Sequence, residues 1–432
     1  MKTKKIGPVL ATFVVANNMI GSGFFLLPAT LAKSGGVTAI TWLLGTLLAV
    51  MLGSAFARLS RQYPTLESPD DYVRPALGRD MGFLATTMYW LSSWMGNNAI
   101  AVAAFGYLVL LLPISDSQGV QLIGQIALIW LMFALNLLGP RPIARFQSFC
   151  VVFGLLPVVA VLTAGWASFD TDLYRAAWNV TEQSDTQVVL GSLASVFWAF
   201  VGLETGAMVA GVVRDPDRNV PRATLGGIAI AGVVYLVSSV LMMGIVPAGE
   251  MAVSSAPFAL VAGKMFGVWA IPVIAGAAAL KATGTLGGWM LVSGESGARA
   301  AHRGFLPAIF GRMAANGAAR GGLLIVTLSM TLLAILTSSA TVSGQFEVLI
   351  NIVVILVVMA YVAAGMSLLL GTPARPATKS DRVLGMGALV ACGLLVYSTP
   401  LDTLIGALIL VLLAWAAWRG FGHRRATLAR NT

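Results

Sequence analysis

The chain has 432 residues, of which 58% are Ala, Val, Ile, Leu, Met, Phe, Trp, Tyr or Cys and only 10% are charged, with a net charge of +10. Soluble domains carry ~25% charged residues, so these charges cannot cover a water-facing surface, and the apolar content excludes a disordered chain. An integral membrane protein remains, and twelve crossings at about 36 residues each leave no room for a soluble catalytic domain.

In chain order, apolar runs of about 17–25 residues predict spans 1 to 12. They fall at 8–30, 37–57, 82–112, 119–138, 147–168, 188–211, 225–246, 269–294, 321–338, 346–371, 383–399 and 401–418. Span 3 is long enough to tilt or to extend past the bilayer. The basic start has the charge of a signal peptide. The run after it is too long for one, carries Asn17 and Asn18, and lacks a small-residue cleavage site.

With the N-terminus inside, 23 of the 27 Lys and Arg residues fall in inner segments. Lys33, Arg175 and Lys264 fall outside, and Lys281 lies within span 8. That is the positive-inside bias. It places both termini in the cytoplasm and the chain in the cell (inner) membrane, and no nucleic-acid partner is needed to explain the charge. Cys150 and Cys392 sit in apolar spans, which indicates neither a disulfide framework nor a metal site. His302 and His423 lie in inner segments, so no histidine carries protons within the membrane. No metal or cofactor is expected.

Two spans are interrupted. Span 1 contains Asn17-Asn18-Met19-Ile20-Gly21-Ser22-Gly23, and span 6 contains the stretch from Trp198 to Gly206 with Gly202, Glu204 and Thr205. Either alone reads equally well as small-residue helix packing. As a pair they say more. Broken backbone at membrane depth is tolerated only around a cavity. An offset of five spans puts the two breaks in opposite orientations, as an inverted repeat requires. Exposed amides of a half-helix suit a carboxylate, and free carbonyls suit an ammonium, so a zwitterionic amino acid matches both.

At these residues the chain resembles the basic amino acid/polyamine antiporter family of the amino acid–polyamine–organocation superfamily, above all its bacterial arginine/agmatine branch. The resemblance runs from about 6 to 371 and more weakly beyond. It rests on Ile20 to Pro28, Tyr89-Trp90, Trp94 to Asn97, Trp198 to Glu204, Asn219-Val220-Pro221 and Leu286 to Trp289. It implies a single all-α transporter domain over 1–432. The 5+5 inverted repeat would occupy 6–371, with two added helices at about 383–418, alternating access and, often, a homodimer. The substrate carboxylate would meet Ser22 and the amide of Gly23. The α-ammonium would meet the carbonyls of Met19, Trp198 and Val201. Trp289 would stack on the substrate, with Ser93 and Asn97 at its distal end. Tyr89, Trp198, Glu204 and Tyr361 match gating positions.

The chain also departs from that branch. Ser93 replaces Cys, and Val353 replaces a Ser at the distal end of the site. Asp70 and Asp71 replace glycines in an inner loop. Lys281 replaces Gly near the centre of span 8, where a lysine costs at least ~2.5–3.5 kcal/mol. Lys281 could face a wet crevice or pair with Glu204. It could stand in for a coupling cation, with Glu204 as the second coupling candidate. Its fixed charge could instead repel dications by ~2–3 kcal/mol at 6–8 Å. Together, Lys281 and Val353 favour a neutral or monocationic amino acid.

The expected function is secondary active transport of amino acids, as an exchanger or a proton-coupled carrier. The alternatives are an arginine/agmatine-like antiporter of acid resistance and a non-transporting membrane sensor. No HExxH helix, membrane histidine or phosphate-binding loop supports an enzyme or a primary pump.

Overall fold

The computed structural model describes residues 5–63, 68–114, 117–208, 213–339 and 341–428. Among these the regular structure is helical, apart from an isolated bridge between Ile6 and Val213 and a two-residue hairpin pairing Gly371–Thr372 with Arg375–Pro376. Nine described helices are long and apolar enough to cross a membrane, and a bent pair, Pro8–Met19 with Gly23–Ala32, makes a tenth. The remaining two expected spans are of another kind. Span 9 is the 17-residue helix Arg320–Leu336. Span 6 is divided into Asp185–Gly191, Leu193–Trp198 and Thr205–Met208.

Several helices outrun their apolar runs. Span 3 covers Asp70–Leu108 rather than 82–112, with a helix break at Gly78 (φ 84°). Span 5 begins at Pro140, span 7 at Pro216, and span 8 continues to His302. The reason is solvent. Hydropathy marks only the stretch inside hydrocarbon, whereas Arg74, Arg79, Arg145, Arg218 and Arg299 prolong the same helices into water. Pro140 and Pro216 stand at first helical positions, where a missing N–H costs nothing.

Ion pairs gather the loops at two ends. At one end Arg58 pairs with Asp381 (2.6 Å), and Arg61 Nε donates to the Asp217 carbonyl (2.6 Å). Arg303 at that end bridges Asp70 (3.2 Å) and Asp71 (2.8 Å), and Arg419 pairs with Asp80 (3.3 Å). At the other end Lys33 pairs with Glu347 and Lys264 with Glu250. The segments that the basic residues marked as inner therefore share one end of the bundle. The two aspartates that replace glycines serve as a clamp between the start of span 3 and the end of span 8.

Spans 3, 8 and 10 form the centre, and span 12 lies almost entirely at the periphery. Lipid is as apolar as a leucine face, so helices here associate through close van der Waals fit. Spans 10 and 11 show this at Gly365 and Gly385: a Cβ on Gly385 would lie 2.7 Å from the Gly365 carbonyl oxygen. Replacing Gly385 with Leu should force the pair apart and cost about 1–3 kcal/mol, as overpacking does. Thermal unfolding of purified protein measures this, and an unchanged midpoint would mean that the contact contributes nothing.

Candidate functional site

The first break follows Met19, where Ile20 still donates to the Ala16 carbonyl but Gly21 N–H turns back to the Met19 carbonyl (2.7 Å). A new helix then starts at Ser22, bent by 47° from the first. Helix starts leave amides without intrahelical partners, and Gly23 N–H is among them. The side chain of Ser22 lies outside the described residues.

The second break follows Trp198. Val201 N–H bonds to the Trp198 carbonyl, Leu203 N–H to Phe200 and Thr205 N–H to Gly202, a series of tight three-residue turns. Gly202 adopts φ 107°, which a side chain would resist. A neighbouring span meets one freed carbonyl, since the Tyr235 hydroxyl donates to Ala199 O (2.9 Å). The two breaks are tied together. Asn18 Nδ2 donates to Thr205 Oγ1 (3.1 Å), and that hydroxyl donates to Gly202 O (2.6 Å).

A cavity of about 40 Å3 lies against both breaks. Met19, Gly23, Tyr89, Ser93, Asn97, Trp198, Val201, Glu204 and Trp289 all line it. Of the expected binding, gating and coupling residues whose side chains are described, Tyr361 and Lys281 stand outside the lining. Tyr361 reaches it through Glu204. The carboxylate of Glu204 is 1% exposed and accepts from the hydroxyls of Tyr89 (2.9 Å) and Tyr361 (2.5 Å) and from Gly202 N–H (3.1 Å). Tyr89, Glu204 and Tyr361, on spans 3, 6 and 10, thus form one hydrogen-bonded group.

Opposite lies a second polar group. Asn97 Nδ2 donates to Ser293 Oγ (3.3 Å), Ser293 to Ser93 Oγ (3.1 Å), and Ser93 to the Trp90 carbonyl (2.8 Å). Asn97 Oδ1 is buried without a partner among the described residues, an acceptor left for a donor in the cavity. Val353 packs beside Gly96 in the same wall. Trp198 is held edgewise. A Cβ on Gly23 would lie 2.9 Å from its Cδ1, and one on Gly96 would lie 2.8 Å from its Cη2. Only glycines leave that slot open.

Lys281 is 1% exposed, and its ammonium donates to Thr285 Oγ1 (3.0 Å) one turn along the same helix. It makes no ion pair with Glu204 among the described residues. Its Cβ faces Gly154 of span 5, whereas Thr285 reaches the cavity beside Gly21. The lysine is therefore behind the cavity wall, against the first break, and the sole charged residue in the described lining is Glu204.

The amino acid permease family matches residues 6–421, almost the whole of this bundle. The chain belongs to that family. The permease is 36% identical over 366 residues to the cadaverine/lysine antiporter of Escherichia coli K12, covering 83% of this chain and 82% of the relative. It is 31% identical over 422 residues to the putrescine transporter PotE of the same organism, covering 96% of each. Against PotE of Haemophilus influenzae the identity is 33% over 365 residues, covering 83% of each. Such relatives place it among the basic amino acid/polyamine antiporters, as a multi-pass membrane transporter rather than an enzyme.

Sequence reading missed Asn18, Thr285 and Ser293. Asn18 stood within the quoted motif but had no assigned partner. Ser293 and Thr285 follow Trp289 and Lys281 by one helical turn, and a search at that spacing would have found both. If Trp289 stacks on a cationic substrate, Trp289→Ala should weaken binding by ~0.5–2 kcal/mol. Calorimetry with the permease in detergent reads this directly, and an unaltered affinity would remove Trp289 from the site.

Proposed function

We propose that the permease is a secondary exchanger of a basic amino acid and its decarboxylated diamine, working by alternating access around the two breaks in an inverted repeat. The observation that carries this reading is the charge of the cavity. Its described lining has one carboxylate and no cation. A neutral amino acid leaves that carboxylate without a counter-charge, whereas a second ammonium supplies one. The relatives named for lysine, cadaverine and putrescine support the same substrate class.

Lys281 is poorly placed to repel dications, because its ammonium turns to Thr285 behind the wall. A monocationic amino acid remains a good fit. In this reading Gly23 N–H, with Ser22, holds the carboxylate. The carbonyl oxygens of Met19 and Trp198 each accept one backbone N–H already and keep a second lone pair for the α-ammonium, alongside Val201. Trp289 covers the aliphatic stem. Asn97 Oδ1, near Ser93, accepts from the distal ammonium, and the Glu204 carboxylate in the same lining pairs with it as counter-charge. Tyr89, Glu204 and Tyr361 close the path at the basic end of the bundle, and Trp198 closes it within the cavity.

Counterflow in liposomes loaded with lysine tests the substrate class. External radiolabelled lysine or cadaverine should exchange, and Glu204→Gln should slow cadaverine exchange at least about tenfold, the loss of one charge-assisted contact. Exchange of neutral amino acids only, with neither lysine nor cadaverine accepted, would remove the basic-substrate reading.

A second role rests on Lys281. It is an almost fully buried ammonium with one hydroxyl partner beside a helix break, which is costly to maintain unless it is used. In this reading its protonation couples transport to protons. Lys281→Ala should then abolish accumulation driven by a pH gradient while exchange continues. Accumulation at the native level in that variant would reduce Lys281 to a structural role.

A further inference from the structure

A second and larger cavity lies away from the substrate path, between span 3, span 12 and the turn at 304–308. Its volume is about 770 Å3. Span 3 contributes Arg79, Phe83, Thr87 and Leu91, four residues at the spacing that puts them on one helix face. Span 12 contributes Leu410, Leu413 and Trp418. Phe83 stacks flat on Trp418 (4.5 Å between ring centroids), and Phe305 meets the same indole edge-on (5.6 Å).

The two ends of this groove differ. Arg79 lies at the basic end of the bundle, exposed, with its guanidinium 5.2 Å from the Trp418 ring. The adjacent Asp80 does not neutralise it, because Asp80 is bonded to Arg419 (3.3 Å) and to Trp418 Nε1 (3.0 Å). Among the described residues no carboxylate lies within 4.0 Å of Arg79. From there the face runs to Leu91, twelve residues or ~18 Å along the helix. Half of a hydrocarbon core is ~15 Å. The groove is thus about one leaflet deep, cationic at the water boundary and apolar below. One polar group interrupts it. Thr87 is 6% exposed, and its hydroxyl, buried in the groove wall, has no partner among the described residues.

We propose that this groove binds one anionic phospholipid from the leaflet at the basic end of the bundle. The phosphate meets Arg79, and an acyl chain lies along Phe83, Leu91 and Leu413. Span 12 delivers the lipid side, because that helix is only 6% buried over its apolar window. Charge argues against a second copy of the chain as the occupant: a self-complementary contact here would bring together the Arg79 side chains of two copies, and Arg79 has no carboxylate partner among the described residues. The inference does not depend on which substrate the permease exchanges.

Native mass spectrometry of the full chain in detergent, titrated with phosphatidylglycerol and separately with phosphatidylcholine, tests it. The native protein should retain one phosphatidylglycerol in preference to phosphatidylcholine. Ala414→Trp, which fills the groove from span 12, should remove the bound lipid. Arg79→Gln should keep lipid binding and reduce the preference for phosphatidylglycerol about fivefold, the effect of one basic side chain at an anionic surface. If Ala414→Trp fails to fold, Arg79→Gln decides alone, since its side chain is exposed. Equal retention of the two lipids by the native protein would overturn the proposal. So would undiminished lipid in a folded Ala414→Trp variant, or conversion of that variant from dimer to monomer with its lipid still bound.

Discussion

A backbone amide or carbonyl without a partner costs several kcal/mol inside a bilayer, and the centre of this transporter is arranged around that cost. Two helices are interrupted where unpaired groups would be most expensive. The structure places the interruptions against each other and lets them share donors. Gly21 turns to Met19, Val201 to Trp198, and Thr205 both closes the turn at Gly202 and accepts from Asn18. Tyr235 reaches in from span 7 to Ala199. The Asn97 oxygen, without a partner among the described residues, belongs to the cavity lining.

The two buried ionisable groups are held in different ways and on different sides of the breaks. Glu204 is surrounded by three donors, two of them phenols from helices that pack on span 6 from separate directions. Moving either helix removes a donor from the carboxylate. Lys281 has a hydroxyl from its own helix and no acidic partner among the described residues. Its surroundings change only if span 5 or the first break moves against span 8. Under the proposed function, substrate charge and proton coupling are therefore separable properties of different helix contacts.

Much of this was legible in the residues. The counts of apolar and charged residues identify a membrane bundle. The paired breaks in spans 1 and 6 identify where its cavity lies, because glycine beside asparagine or glutamate is hard to place at membrane depth for any other purpose. Nine of the twelve expected binding, gating or coupling residues line one cavity. Helix ends were less legible. Asp70 to Met81 are helical, yet no hydropathy window separates a helix in water from a loop. The clamp of Arg303 on Asp70 and Asp71 joins positions 232 or more residues apart, so nothing local announces it. The position of Lys281 relative to the cavity wall was equally hidden, since a helix periodicity does not say which neighbour a given face will meet.

The edgewise seat of Trp198 sets the kind of motion available to the pathway. Its indole is bounded by the α-carbon of Gly23 on one side and of Gly96 on the other, with no side chain there to swing away. A ring confined by two backbones cannot turn aside alone. Spans 1 and 3 must first separate. Side-chain flips take picoseconds to nanoseconds, whereas collective helix shifts take microseconds to milliseconds. Under the proposed function, passage past this tryptophan therefore belongs to the slower class, and its rate is a property of how tightly two helices close on each other rather than of the ring itself.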